Sequence, residues 1–190
     1  MLTVARIPGL AGVVTTTAVV MLGHFSFYTY VAPFLLHVGV PEEGVGLALF
    51  AYGTMGALGL VAAGVFVDSR LRGAMIVSAG ALALAFVALA VAGTSTALAV
   101  AGTAITGAVL GSLPTFLQAA TLRVAPGAAE PASALNASAF NIGIGGGALL
   151  GGLAVDRWGV GSLPAVAAIL AGAGLVALIL DRRVGLIVAT

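Results

Sequence analysis

Six long apolar stretches, separated by short charged connections, constrain this chain more than any other feature. They cover residues 10–36, 44–67, 73–92, 97–118, 131–155 and 163–180. Because a helix needs about 20 mostly apolar residues to cross the hydrocarbon core of a bilayer, each stretch is long enough to span it. The sequence therefore predicts an all-α membrane protein with six transmembrane helices.

The composition excludes a soluble globular protein. Hydrophobic residues make up 61% of the 190 residues and charged residues only 7%, whereas a soluble domain is about 25% charged. A chain with so few charges must be surrounded by lipid, so the bilayer is its first expected partner. The net charge of +1 gives no reason to expect binding to nucleic acid.

No catalytic or cofactor site is indicated either. The chain has no cysteine and therefore no disulfide or thiolate metal site. Its sequence also lacks the zinc-protease and serine-hydrolase motifs, and no pair of carboxylates falls within a span. We therefore expect no enzymatic activity, no cofactor and no bound metal.

The arginines predict the orientation of the chain. All seven basic residues are arginines, and all lie outside the six apolar stretches. If the N-terminus is cytoplasmic, only Arg157 lies outside the cell, and six lie inside: Arg6, Arg70, Arg72, Arg123, Arg182 and Arg183. The positive-inside rule therefore favours a multi-pass protein of the plasma (or inner) membrane with both termini in the cytoplasm.

A short internal match indicates a repeat. The segment from Gly64 to Asp68 ends the second span, and the segment from Gly152 to Asp156 ends the fifth, 88 residues later. Three helices separate the two copies, so the second copy would enter the membrane from the opposite side. We expect residues 1–190 to form a single bundle of two inverted repeats, about 10–92 and 97–180, although so short a match can also arise by chance.

Regularly spaced glycines occur within the predicted spans. Gly107 and Gly111 form a GxxxG pair on the fourth span, and Gly143, Gly147 and Gly151 repeat that spacing on the fifth. Small residues let helix backbones approach closely in lipid, so these glycines predict helix–helix contacts.

Three segments carry a family signature. The first is HFSFYTYVAPF at residues 24–34, and the third is NIGIGGG at residues 141–147, which runs into the second copy of the Gly…Asp motif. The segment between them keeps Gly64, Asp68 and Arg72 of the loop pattern Gly-x-x-x-Asp-(Arg/Lys)-x-Gly-(Arg/Lys)-(Arg/Lys), but has Ser69 and Leu71 where a base and a glycine are usual. Together these segments resemble the C-terminal six-helix half of a major facilitator superfamily transporter, in its drug and sugar efflux (arabinose efflux permease-like) branch.

The resemblance implies a transporter that exports a small solute, such as a drug or a sugar, by alternating access. It implies that the first and fourth spans line a central cavity, that the second and fifth flank it, and that the third and sixth face lipid. It also implies a second six-helix half, supplied by another polypeptide or by a second copy of this chain. The alternative is a non-transporting membrane protein, either a remnant or an accessory subunit of a split transporter.

The loop after the second span is a candidate gate. By the resemblance, Gly64, Asp68, Arg70 and Arg72 would form a cytoplasmic latch that holds one conformation through charge-assisted hydrogen bonds. The alternative is a solvated loop whose arginines only fix the topology.

The first span holds three candidate substrate-binding residues: His24, Phe27 and Tyr28. His24 and Tyr28 are four residues apart and share a helix face, as do Phe27 and Val31. An ionisable residue within a span is by default a functional candidate, so His24 would bind substrate or carry a proton. The alternatives are a neutral histidine hydrogen-bonded to a neighbouring helix and, for Tyr28, a place in the interfacial aromatic belt.

Three amides complete the candidate site. Gln118 lies near the end of the fourth span, and Asn136 and Asn141 lie within the fifth. At 3.6 residues per turn the two asparagines point about 140° apart, so they cannot share one narrow face. We expect one to face the cavity and the other a neighbouring helix, with interhelical hydrogen bonding as the alternative role for both.

Overall fold

A computed structural model describes residues 6–92 and 95–181. The helices are α1 (Leu10–Tyr28), α2 (Val31–His37), α3 (Glu42–Phe66), α4 (Leu71–Val91), α5 (Thr96–Val124), α6 (Ala129–Trp158) and α7 (Leu163–Leu180), with short 3-10 turns at Pro126–Ala128 and Val160–Ser162. Six of these helices are long and apolar enough to cross a membrane, and α2 continues the first of them. The predicted all-α fold with six spans is therefore confirmed.

The first span is broken, where the sequence predicted one continuous helix. α1 ends at Tyr28 and α2 begins at Val31, with Tyr30 between them in a non-helical conformation (φ −116°, ψ 22°). Pro33 explains the break, because a proline ring clashes with the carbonyl group four residues earlier, here that of Thr29, and has no N–H to donate to it. The fourth span is also longer than predicted and ends at Val124.

The helices that pack together are not those that follow one another in the chain. α3 packs on α5, and α1 packs on both α6 and α7, while α4 packs on α5 and α7. α1 and α5 are the most buried helices and hold the centre of the bundle. By contrast, α3 and α4 hardly contact each other although only four residues join them.

The outer faces of α4 and α7 carry exposed apolar side chains, including Val77, Leu84, Ile169 and Leu180. Large apolar side chains in such positions are favourable only against lipid. One face of the third span and one face of the sixth are therefore suited to the bilayer, and the opposite faces pack within the bundle.

The spaced glycines lie where helix backbones meet. A Cβ atom on Gly111 would collide with the carbonyl group of Gly56 on α3, and one on Gly147 would lie 2.6 Å from the carbonyl oxygen of Leu22 on α1. No side chain larger than hydrogen fits there without separating the helices. The predicted helix-packing role of these glycines is confirmed.

Candidate functional site

An aromatic cluster joins α1 to α3 near the middle of the membrane. His24 Nε2 lies 3.0 Å from the hydroxyl group of Tyr52, and the rings of Tyr28 and Tyr52 stack with centroids 4.7 Å apart. The His24 and Tyr28 rings are also stacked, at 5.8 Å. Tyr52 is ten residues from the start of α3, about 15 Å at 1.5 Å per residue, which is half the thickness of a ~30 Å hydrocarbon core.

The His24 ring retains one unused hydrogen-bonding position. It is buried, and among the described residues its Nδ1 atom has no partner. Phe25 and Phe86 lie around the ring, with centroids 5.3 Å and 6.3 Å away. An unpaired buried polar atom is costly, by about 1–3 kcal/mol. Whether this unpaired Nδ1 atom is a donor or an acceptor depends on the tautomer of the ring.

A polar chain joins α1, α5 and α6. The hydroxyl group of Thr17 lies 2.7 Å from Asn136 Oδ1, Asn136 Nδ2 donates to Gln118 Oε1 at 2.9 Å, and Gln118 Nε2 donates to the hydroxyl oxygen of Ser133 at 2.8 Å. Thr17 is also 3.0 Å from the carbonyl oxygen of Val13, so its single proton is shared between two acceptors. Four side chains from three helices thus form one connected network.

The two clusters lie at different depths. Thr17 is seven residues before His24 on α1, which separates them by about 10 Å along the helix. The polar chain lies towards the near side of the membrane, defined as the side on which α1 begins. The structure therefore brings Gln118 and Asn136 together but does not bring them to His24 and Tyr28.

Two sequence-predicted residues lie away from both clusters. Phe27 is fully buried and packs edge-on against Phe34 and Phe86, with centroids 5.1 Å and 5.3 Å away, so it belongs to the core of the bundle. Asn141 is exposed, and its amide donates to the carbonyl oxygen of Ala137 on its own helix. Asn136 and Asn141 do face different surroundings, as their spacing predicted.

The loop after α3 is held by an arginine that the sequence analysis did not associate with it. Arg123, at the end of α5, donates to the carbonyl oxygen of Val67 at 2.6 Å and lies 3.8 Å from Asp68 Oδ1. The Asp68 side chain is 94% exposed, so its ion pair is weak in energy. Gly64, in the same region, faces open space.

The two arginines of this loop point to different places. Arg72 donates to carbonyl oxygens at the end of α7, those of Leu178, Ile179 and Asp181. A guanidinium at a helix C-terminus satisfies orphan carbonyls and is favoured by the helix dipole. Arg70 is exposed, and its side chain has no hydrogen bond or ion pair with any described residue. Arg182 and Arg183, which the orientation argument used, lie outside the described residues.

Tyr52, Thr17, Ser133 and Arg123 are the site residues that sequence reasoning missed. Tyr52 had a usable signal, because it is the only tyrosine on the second span and one of three in the chain. Thr17 and Ser133 had no such signal, because hydroxyl residues are common within the spans. Which of them meets a polar partner depends on how each helix is rotated about its axis.

Probable sugar efflux transporters from several bacteria match between 84% and 94% of this chain. A probable sugar efflux transporter of Pasteurella multocida is 28% identical over 94% of this chain and 44% of its own length. One of Mannheimia succiniciproducens is 32% identical over 93% of this chain and 45% of its own length, and one of Haemophilus influenzae is 32% identical over 84% and 40%. The chain thus spans less than half the length of these curated relatives.

A family profile gives the same result. Residues 13–187 match the Major Facilitator Superfamily, and the matched region includes the aromatic cluster, the polar chain, the loop after α3 and all six spans except the first three residues of α1. With six membrane-spanning helices in the structure and this match over most of its length, the chain belongs to the major facilitator superfamily.

Proposed function

We propose that this chain is one six-helix half of a transporter that exports a small polar solute, a sugar in the first instance, by alternating access. The observation that carries the proposal is the family match combined with the polar and aromatic side chains that meet between helices α1, α3, α5 and α6. The names of the relatives, each a probable sugar efflux transporter, support the choice of sugar. No step of this function requires bond-breaking chemistry or a cofactor.

The aromatic cluster supplies the proposed substrate contact. The half-buried Tyr28 ring offers an apolar face that suits the C–H face of a sugar ring, and the buried Tyr52 hydroxyl and unpaired His24 Nδ1 behind it would bond sugar hydroxyl groups once the cluster opens. Tyr28 is half-buried, so a solute reaching the cluster would meet its ring first. In this proposal the polar chain of Asn136 and Gln118 is a second polar patch along the path, on the near side.

The burial pattern supports the inverted repeat. Ala48, Gly59 and Ala63 are buried on α3, and the residues 88 positions later, Asn136, Gly147 and Gly151, are buried on α6. The helix contacts show the same symmetry. In the repeat α3 corresponds to α6 and α1 to α5, and α3 packs on α5 just as α6 packs on α1. We propose two three-helix repeats related by a pseudo-twofold axis in the membrane plane, over residues 10–92 and 97–180.

A second six-helix half is part of the proposal. The chain spans 40–45% of the relatives that it matches, and the exposed polar side chains of Ser138 and Asn141 on α6 are unsuited to lipid. A facing bundle, from another polypeptide or a second copy of this chain, would cover them. The chain is proposed to lie in a cell membrane with both termini on the cytoplasmic side, because the arginines are concentrated on that side of the spans.

The test is solute flux in proteoliposomes. The chain, reconstituted alone and together with any membrane protein that copurifies with it, is expected in one of the two cases to move a radiolabelled monosaccharide down its gradient. Tyr52→Phe removes only the hydroxyl group that meets His24 and is expected to lower kcat/KM for flux about tenfold, the size of one lost hydrogen bond at a binding site.

Tyr30→Phe is the matched control for flux. It removes the hydroxyl group that donates to the Ala148 carbonyl, outside the aromatic cluster, and flux is expected to stay near the wild-type value. Equal losses in the two variants would refute the assigned site. No flux of any monosaccharide, from the chain alone or with its partner, would favour a remnant or accessory subunit.

A further inference from the structure

A lateral groove runs between α3 and α4, with α5 as its floor. Its volume is about 530 Å³. The walls are small or apolar, with Gly59 and Ala63 on α3, Gly73 and Val77 on α4, and Val109 on α5. The groove exists because α3 and α4 hardly contact each other, and it is therefore open to the hydrocarbon of the bilayer along its length.

The groove covers only one leaflet of the membrane. On α4 its lining extends from Gly73 to Ala81, and on α3 from Gly59 to Phe66. At 1.5 Å per residue these segments are about 12 Å and 10 Å long, which is close to half of a ~30 Å hydrocarbon core. Along α4 the groove thus begins at the near-side membrane surface and reaches the midplane, whereas its α3 wall ends about 10 Å before the level of Tyr52.

A cation lies at the mouth of the groove. Arg70 precedes α4, lines the groove and is exposed, and no described residue pairs with it. Its neighbour Asp68 is directed to Arg123 instead. A guanidinium at this level faces the lipid phosphates, and it matches their charge and geometry.

We propose that the groove binds one anionic phospholipid of the near-side leaflet, with an acyl chain along α3 and α4 and the headgroup phosphate on Arg70. The occupant is a lipid because the groove has the length of one leaflet and a positive charge at its headgroup end. A helix of a partner protein would need a surface that continues across the whole membrane. The site is distinct from the aromatic cluster and stands whether or not that cluster binds a sugar.

Native mass spectrometry of the 190-residue chain, titrated with phosphatidylglycerol in detergent, tests the proposal. Arg70→Gln is expected to weaken binding about fivefold, the effect of one arginine on anionic lipid. Gly73→Phe fills the groove and is expected to weaken binding at least as much, and it is compatible with the fold because a Cβ atom at Gly73 meets nothing within 4 Å. Val77→Trp fills the groove from an exposed position and serves as a second variant.

Each variant has a matched control. Arg6→Gln removes an exposed arginine on the same side of the membrane but outside the groove, and Gly172→Phe adds the same ring at an equally open glycine on α7. Both are expected to bind within twofold of the wild type. Unchanged binding in Arg70→Gln, or an equal loss in Arg6→Gln, would overturn the headgroup assignment. Unchanged binding in Gly73→Phe and Val77→Trp, or an equal loss in Gly172→Phe, would overturn the groove.

Discussion

Replacing Gly147 by alanine tests how closely α1 and α6 must approach. The added Cβ atom would lie 2.6 Å from the carbonyl oxygen of Leu22, 3.0 Å from the Cβ atom of Phe25 and 3.0 Å from the backbone nitrogen of Ser26. All three neighbours belong to the α1 backbone or its first side-chain atom, so none can rotate away. The two helices must separate, and the substitution acts on their whole interface.

The magnitude follows from the displacement. The helices must move apart by about 0.8 Å for the 2.6 Å separation to reach the 3.4 Å of an ordinary contact. A gap of 0.5–1 Å forfeits about a quarter to a half of the dispersion attraction of each atom pair that it opens. Overpacking of this kind costs about 1–3 kcal/mol. Alanine offsets about 0.5–1 kcal/mol of that cost by favouring the helix over glycine, so we expect Gly147→Ala to lower the free energy of unfolding by about 1–2 kcal/mol.

Gly145→Ala is the control on the same helix, two residues away. Nothing lies within 4 Å of a Cβ atom at Gly145, so the substitution adds a methyl group without contact. Alanine also favours the helix over glycine by about 0.5–1 kcal/mol, so this variant should be as stable as the wild type or slightly more so.

The measurement is unfolding in mixed micelles. Helicity by circular dichroism and the fluorescence of Trp158, the only tryptophan, are recorded as sodium dodecyl sulfate is increased. The unfolding midpoint is expected at a lower dodecyl sulfate concentration for Gly147→Ala than for the wild type, and at no lower concentration for Gly145→Ala. If both variants have the same unfolding midpoint as the wild type, the backbones of α1 and α6 do not approach as described, and the explanation of the spaced glycines is wrong.

Two further predictions use the same unfolding assay. Asn136→Ala removes the amide that donates to Gln118 and is expected to lower the free energy of unfolding by about 1 kcal/mol, the size of an interhelical hydrogen bond in a membrane. Asn141→Ala is the control and is expected to cost less, because the Asn141 amide bonds only within its own helix. Equal losses in the two variants would contradict the polar chain. Arg123→Gln removes hydrogen bonds to the carbonyl end of α3 and is expected to shift the unfolding midpoint to a lower dodecyl sulfate concentration. Asp68→Asn changes an almost fully exposed carboxylate and is expected to leave the midpoint unchanged. A larger shift in Asp68→Asn than in Arg123→Gln would show that the ion pair, and not the helix cap, holds the loop.

The spans were predictable because lipid imposes one strong requirement, an apolar length sufficient to cross the core. That requirement holds for each helix alone, so the six spans could be found without knowledge of their neighbours. The break at Tyr30 also had a local cause in Pro33, but hydropathy does not register it. Its signal was the proline itself, four residues after the carbonyl that it displaces.

The candidate site was less predictable because it depends on which helices meet and on how each is rotated. His24 was identified as an ionisable residue within a span, and Tyr52 stood out as the only tyrosine of its span, but their pairing depends on where α3 lies against α1. The same limit applies to the loop after α3, where sequence proximity pointed to Arg70 and Arg72. In the structure the contact comes from Arg123, 55 residues away along the chain.

The order in which helices pack has a consequence for biosynthesis. A chain inserted from its N-terminus delivers α3 and α4 in succession, yet neither finds its main partner in the other, and α3 must wait for α5. α1 waits longer still, because its partners α6 and α7 are the last to emerge. Early hairpins therefore have little tertiary stabilisation: α1 first meets α5, and the glycine surface of the fifth span, α6, then supplies its larger contact. A ribosome that stalls before α7 would leave α1 and α4 with unsatisfied faces in the bilayer, which is the kind of intermediate that membrane proteases and insertases recognise.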